Sequence, residues 1–247
     1  MDNIMRICIV IGTRPEIIKF SPIIDQFKNR NINFSILHTG QHYSKELDSF
    51  FFEELNLPAP NFHLRYNSSE FQLGSMIKAM SNIFSREKFD MVLVLGDTNS
   101  TLAGALASVK SKTKVAHIEA GLRSHELDLH EEINRITVDN ISDFLFTPTD
   151  YSKSNLLKEE ISNNVFVTGN TIVDAVYNNM DKLDSSNDLF QELGLEKSNY
   201  ILVTSHRSQN VDNKDNLAKV INIINQVSNT TKRRALWSIH PRTKDRI

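Results

Sequence analysis

The chain of 247 residues carries 28 Lys and Arg against 30 Asp and Glu, a net charge of −2, with 40% hydrophobic residues. Neither sign is concentrated in one half, which removes the electrostatic case for binding a nucleic-acid backbone or an anionic membrane and favours small or neutral partners. One cysteine, Cys8, excludes an internal disulfide and a Cys-rich zinc site, and apolar runs such as Ile7–Ile11 fall short of the roughly 18 residues of a bilayer span, so a cytoplasmic protein is expected.

In chain order, short β-branched runs alternate with stretches of helical spacing. Arg6–Ile11 reads as a strand, Pro15–Phe27 as a helix, Phe34–His38 as a strand, and Ser44–Leu55 and Glu70–Phe84 as helices. Then come strand Met91–Leu95, helix Asn99–Val109, strand Lys114–Ile118, helix Glu131–Ile141, strand Phe144–Thr147, helix Tyr151–Glu160 and strand Val165–Thr168. Continuous apolar strands in a β-α repeat predict a parallel sheet buried on both faces, an α/β doubly wound fold. Residues 1–170 are enough for a complete Rossmann-like domain. From 171 to 247 the chain offers a bridging helix near Thr171–Leu183, a polar linker at Asp184–Asp188, strands Tyr200–Thr204 and Leu236–Ile239, and the helix Asn213–Val227 between them. So small a unit leaves much apolar surface wet, which predicts the start of a second, incomplete Rossmann-like domain, cut short or completed by another chain.

Open α/β sheets bind ligands beyond the carboxyl ends of their strands. The first such loop is Gly12-Thr13-Arg14-Pro15-Glu16, with Lys19 one turn later. Free N–H groups at a helix start attract anions, so Arg14 and Lys19 are either solvated cations or part of a phosphate site; the dinucleotide fingerprint and the P-loop are both absent. Asp97 follows the strand Met91–Leu95 and reads as a helix cap or as an acid–base group. Glu119 ends the very next strand, so two carboxylates are expected in one crevice, beside a cationic site suited to a diphosphate. Glu131 and Glu132 open a helix, where the helix dipole alone accounts for one of them.

His125 and His130 are five positions apart, about 140° around a helix, which does not suit a one-sided metal site; no metal is expected there. His206-Arg207 and His240-Pro241-Arg242 again follow strands, as surface histidines or as ligand groups. His117, inside a strand, reads as core.

Taken together, Gly-Thr-Arg-Pro-Glu at 12–16, His-Thr-Gly-Gln-His at 38–42, Gly-Asp-Thr-Asn-Ser-Thr at 96–101 and His-Ile-Glu-Ala-Gly-Leu-Arg-Ser at 117–124 are similar to a family pattern. It continues with Glu-Glu-Ile-Asn-Arg at 131–135, Thr-Gly-Asn-Thr-Ile-Val-Asp at 168–174, His-Arg at 206–207 and His-Pro-Arg-Thr at 240–243. The whole resembles the non-hydrolysing UDP-N-acetylglucosamine 2-epimerases. Two positions depart from that pattern: His130 stands where a proline is usual, and Gln209 replaces a carboxylate.

The resemblance implies two Rossmann-like domains in a GT-B-like architecture, a homodimer, and interconversion of UDP-N-acetylglucosamine and UDP-N-acetylmannosamine for surface-polysaccharide precursors. It implies elimination and re-addition of UDP through a 2-acetamidoglucal, with no cofactor. By the same resemblance Asp97, Glu119, Glu131 and His206 are catalytic, Arg14, Lys19, Arg135 and His240 bind substrate, and Gln41, His42 and Arg207 belong to a regulatory site. The alternatives are a related UDP-sugar 2-epimerase, acting on a 6-deoxy substrate or hydrolysing its substrate to free sugar, and a catalytically silent fragment that binds sugar nucleotide or a full-length partner.

Overall fold

The computed structural model describes residues 5–41, 45–64, 72–181, 187–205, 208–239, 241–244 and 246–247. It divides into two units, Met1–Asn178 and Asn179–Ile247.

The first unit runs β1 (Ile7–Ile11), α1 (Arg14–Asn29), β2 (Phe34–His38), α2 (Lys45–Glu54), β3 (Phe62–His63), α3 (Gln72–Glu87), β4 (Met91–Leu95) and α4 (Asn99–Lys110). It continues with β5 (Lys114–Ile118), α5 (His130–Ile141), β6 (Phe144–Thr147), α6 (Asp150–Lys158), β7 (Val165–Val167) and α7 (Thr171–Asn178). The seven strands are ordered β3-β2-β1-β4-β5-β6-β7, every pair parallel, confirming the doubly wound α/β reading. Strand order reverses between β1 and β4, and such a switch point opens a crevice above the sheet.

Alternation along β1 explains why helices cover both faces. Cys8 and Val10 pack with Met76, Met80 and Phe84 of α3 and Ala103 and Ala107 of α4. Ile7, Ile9 and Ile11 pack on the other face with Ile17, Phe20 and Ile24 of α1 and Phe52 of α2. Burial pushes the Cys8 thiol pKa up, which keeps it inert.

The second unit holds α8 (Asn187–Glu192), β8 (Tyr200–Val203), α9 (Ser208–Val211), α10 (Lys214–Thr231), β9 (Arg234–Trp237) and α11 (Pro241–Lys244). β8 and β9 pair in parallel, Tyr200 against Arg234 through Val203 against Trp237, giving the expected β-α-β. Leu202 of β8 and Ile223 of α10 stay exposed.

Several boundaries differ from expectation. β3 has only two residues, between the prolines Pro58 and Pro60 and a segment outside the described residues, too short to show a period. α7 ends at Asn178, short of Leu183, and packs on α1 within the first unit. Asn187 already lies in α8 where a linker was expected, and β9 begins at Arg234, two residues before the apolar run. Among the described residues no helix is long and apolar enough to cross a membrane.

Candidate active site

The site is built where β1, β4 and β5 end. At the end of β1, Gly12 sits so tightly that a Cβ there would stand 1.9 Å from Ser100 Oγ and 2.4 Å from Thr39 Oγ1. Just before α1, a carboxylate of the chain itself takes up two backbone N–H groups. Glu16 Oε2 accepts the N–H groups of Gly12 at 2.7 Å and Thr13 at 2.6 Å, and its Oε1 accepts Thr98 Oγ1 at 2.7 Å. The chain's own carboxylate thus occupies the Gly12 and Thr13 N–H groups that precede the first turn of α1. Burial raises the Glu16 pKa, and the hydrogen bonds from Thr98, Gly12 and Thr13 oppose the rise. Thr13 and Glu16 form the Thr-x-x-Glu signature of a capping box, a signal present in the sequence.

At the end of β4 the chain turns through Gly96, at φ +74°, into Asp97. Asp97 is gripped mainly by α5: Arg135 pairs with its carboxylate and Asn134 Nδ2 donates to its carbonyl at 2.9 Å. Arg135 also reaches Glu132 at 3.1 Å.

Glu119 leaves β5 at φ +69°, a left-handed conformation costly for any residue but glycine and typical of functional sites. Its carboxylate is buried. Lys19 Nζ meets Oε2 at 2.7 Å and Asn170 Nδ2 donates to Oε1 at 3.0 Å. A Cβ on Gly96 would stand 3.6 Å from Glu119 Oε2, so the backbone leading to Asp97 passes close beside this carboxylate. Residue pairs Leu95–Ile118 and Val94–His117 set the two strand ends level.

The two acids that open α5 divide the work. Glu132 is buried and accepts the backbone N–H groups of Ser124 and His125 at 3.0 and 2.9 Å, shaping the loop before the helix. Burial alone would raise its pKa; those N–H groups, with Arg135, hold it below the usual range. Glu131 is exposed at the first turn of α5, with no ion-pair partner among the described residues.

Arg14 is half-buried at the first turn of α1. Gln41 Oε1 accepts Ser100 N at 2.8 Å and Ser100 Oγ at 2.7 Å, so it is fastened to the start of α4. His42, His206, Arg207 and His240 lie outside the described residues. The structure therefore brings together Lys19, Asp97, Glu119 and Arg135. Sequence reasoning missed Glu16 and Asn170, and it read His117 as plain core. His117 is indeed buried, but it carries hydrogen bonds on both ring nitrogens.

Comparison with known proteins gives these groups a setting. The sequence model described as UDP-N-acetylglucosamine 2-epimerase matches residues 25–247. A UDP-N-acetylglucosamine 2-epimerase of Methanocaldococcus jannaschii is 46% identical over 249 residues, covering 98% of this chain and 68% of the relative. A UDP-2,3-diacetamido-2,3-dideoxy-D-glucuronate 2-epimerase of Pseudomonas aeruginosa is 35% identical over 246 residues, covering 97% of this chain and 68% of the relative. The crystal structure of the M. jannaschii enzyme in complex with UDP-GlcNAc and UDP matches with a TM-score of 0.86 at 46% identity, over 98% of this chain and 68% of that one. This chain thus spans about two thirds of the length of the relatives it matches.

Proposed function

The chain belongs to the UDP-N-acetylglucosamine 2-epimerase family, and from that premise we propose that it interconverts UDP-N-acetylglucosamine and UDP-N-acetylmannosamine. The observation that carries this reading is the pairing of two candidate acid–base groups with cations at adjacent strand ends: Asp97 with Arg135, and Glu119 with Lys19.

The C2 proton of the sugar is not activated by a neighbouring ketone, so its removal needs a simultaneous exit for the electrons. A carboxylate takes that proton, the C1–C2 double bond forms, and the C1–O bond to UDP breaks with its electron pair leaving on the diphosphate. The intermediate is 2-acetamidoglucal. Return of UDP oxygen to C1, with a proton delivered to the other face of C2, gives the epimer, and atoms balance with no external oxidant or reductant. Such chemistry needs acid–base groups on both faces of one carbon and positive charge near the departing diphosphate. Asp97, Glu119 and Glu131 supply the first. By resemblance His206 contacts the diphosphate or assists its departure, Arg14 and Lys19 orient the substrate, and Arg135 and His240 bind it. Lys19 pairs with Glu119 and Arg135 with Asp97, so each carboxylate has its own cation at its strand end.

A homodimer belongs to the same reading and rests on the resemblance, and a cytoplasmic location rests on the short apolar runs of the sequence. A related UDP-sugar substrate is the second reading, favoured by the P. aeruginosa relative, whose name carries a diacetamido uronate. Incubation of the protein with each UDP-sugar in D2O, followed by proton NMR at C2, separates the two: the true substrate gains deuterium there and forms its UDP-linked epimer.

A further inference from the structure

Asp139 lies on α5 with its side chain wholly enclosed, and it is none of the residues proposed above to touch substrate. Its two oxygens hold two different loops. Oδ2 accepts the Gly121 N–H at 3.1 Å and Arg123 Nη1 at 2.7 Å, both in the segment that follows Glu119. Oδ1 lies 2.7 Å from His117 Nδ1, and Nε2 of the same ring lies 2.8 Å from the Gly96 carbonyl oxygen.

A carbonyl oxygen only accepts, so Nε2 carries a proton and donates to it. That carbonyl belongs to the peptide that leads into Asp97, and fixing its plane fixes the direction in which Asp97 leaves β4. Both loops pass through left-handed backbone: Gly96 at φ +74° and Gly121 at +76° adopt it without strain, whereas Glu119 at +69° keeps it only where surrounding contacts over-determine it. Arg123, held in turn by Glu159 at 2.6 and 2.7 Å, closes the far side of Asp139.

We propose that Asp139 is a positioning residue that acts through His117, so that one buried carboxylate fixes the Asp97 loop and the Glu119 loop relative to each other. The inference rests on the reading of Asp97 and Glu119 as acid–base groups. It adds that neither loop keeps its working geometry unless both are tied to this side chain.

Three variants test it. Asp139→Asn presents its amide NH2 to His117 Nδ1 and its carbonyl to Gly121 and Arg123, so the ring donates from Nε2 to Gly96 as before and every hydrogen bond is rebuilt without the charge. Asp139→Ala rebuilds none. His117→Phe keeps the ring volume and leaves Asp139 bonded to Gly121 and Arg123, but releases Gly96, so it remains informative where Asp139→Ala fails to fold. Misplacement of a reacting group by about 1 Å costs roughly 100-fold in rate. Asp139→Ala and His117→Phe are therefore expected to lower kcat for C2 exchange about 100-fold with KM for UDP-N-acetylglucosamine little changed, while Asp139→Asn recovers most of kcat. Wild-type kcat in His117→Phe, or equal losses in Asp139→Asn and Asp139→Ala, overturns the proposal.

Backbone amide NMR shifts give a readout independent of catalysis. If the wild-type protein exchanges no C2 proton, the functional reading fails, while the positioning role is still decided by the amides. Asp97 and Gly121 must both shift in Asp139→Ala and stay in place in Asp139→Asn; movement of Gly121 alone removes the His117 link.

Discussion

Lys19 on α1 and Glu119 at the end of β5 meet at 2.7 Å across 100 residues of sequence. The pair lies partly shielded, with 24% of the lysine side chain and 7% of the glutamate exposed. Breaking a fully buried pair costs roughly 3–5 kcal/mol, and the access of Lys19 to water reduces this to about 2 kcal/mol. Lys19→Met is expected to show that loss in urea unfolding together with a fall in turnover, while Lys19→Arg keeps most of both. Unchanged stability in Lys19→Met rules out a structural role for the pair.

Asp97→Asn removes the acid–base group while leaving an amide of the same size beside Arg135. C2 exchange is expected to fall by at least about 100-fold, the range of general acid–base catalysis, with the thermal transition within a few degrees of wild type. An active Asp97→Asn protein contradicts the assignment.

Gly12 leaves no room for a methyl group, and the atoms it would strike, Ser100 Oγ and Thr39 Oγ1, are themselves hydrogen-bonded to each other at 2.7 Å. Overpacking of this kind costs about 1–3 kcal/mol, so Gly12→Ala is expected to lower the unfolding free energy by that amount. Ser100 also holds Gln41. The same substitution is therefore expected to shift the Gln41 side-chain amide signals in NMR.

Acid should weaken the fold in two stages. Burial, with the nearby His63, pushes the His38 pKa down from 6.5 to about 4. The unfolded chain therefore takes up a proton first, and stability falls as pH drops through the window between those values, by up to about 1.4 kcal/mol per pH unit. Burial alone would raise the Asp139 carboxyl, but His117 and Arg123 outweigh it and hold it below the usual range. Its contribution is fully present above the unfolded carboxylate value near 4 and is lost below that, as pH falls through the lower folded value. Denaturation curves at pH 7, 5 and 3 check both stages, and Asp139→Asn should lose stability less steeply than wild type between pH 5 and 3.

Much of this arrangement was legible in the sequence because strands buried on both faces read as continuous apolar runs, which gave six of the seven strands of the first unit. Adjacency of β4 and β5 followed from chain order alone, and with it the placing of Asp97 and Glu119 just beyond two neighbouring strand ends. The rest depended on partners far apart in sequence. Nothing within the strand Lys114–Ile118 distinguishes His117 from an apolar neighbour; its role becomes visible only through Asp139, 22 residues on. Asn170 gains meaning only when Glu119, 51 residues earlier, is found beside it. Glu16 is different: its capping-box spacing was readable, and it matches the bond that the Glu16 carboxylate accepts from the Thr13 N–H.

Proton NMR of UDP-N-acetylglucosamine incubated with the protein in D2O tests the central claim most directly. The account predicts loss of the C2 proton signal as deuterium enters, together with a UDP-linked manno epimer. A folded protein that binds UDP yet leaves C2 fully protonated would contradict it.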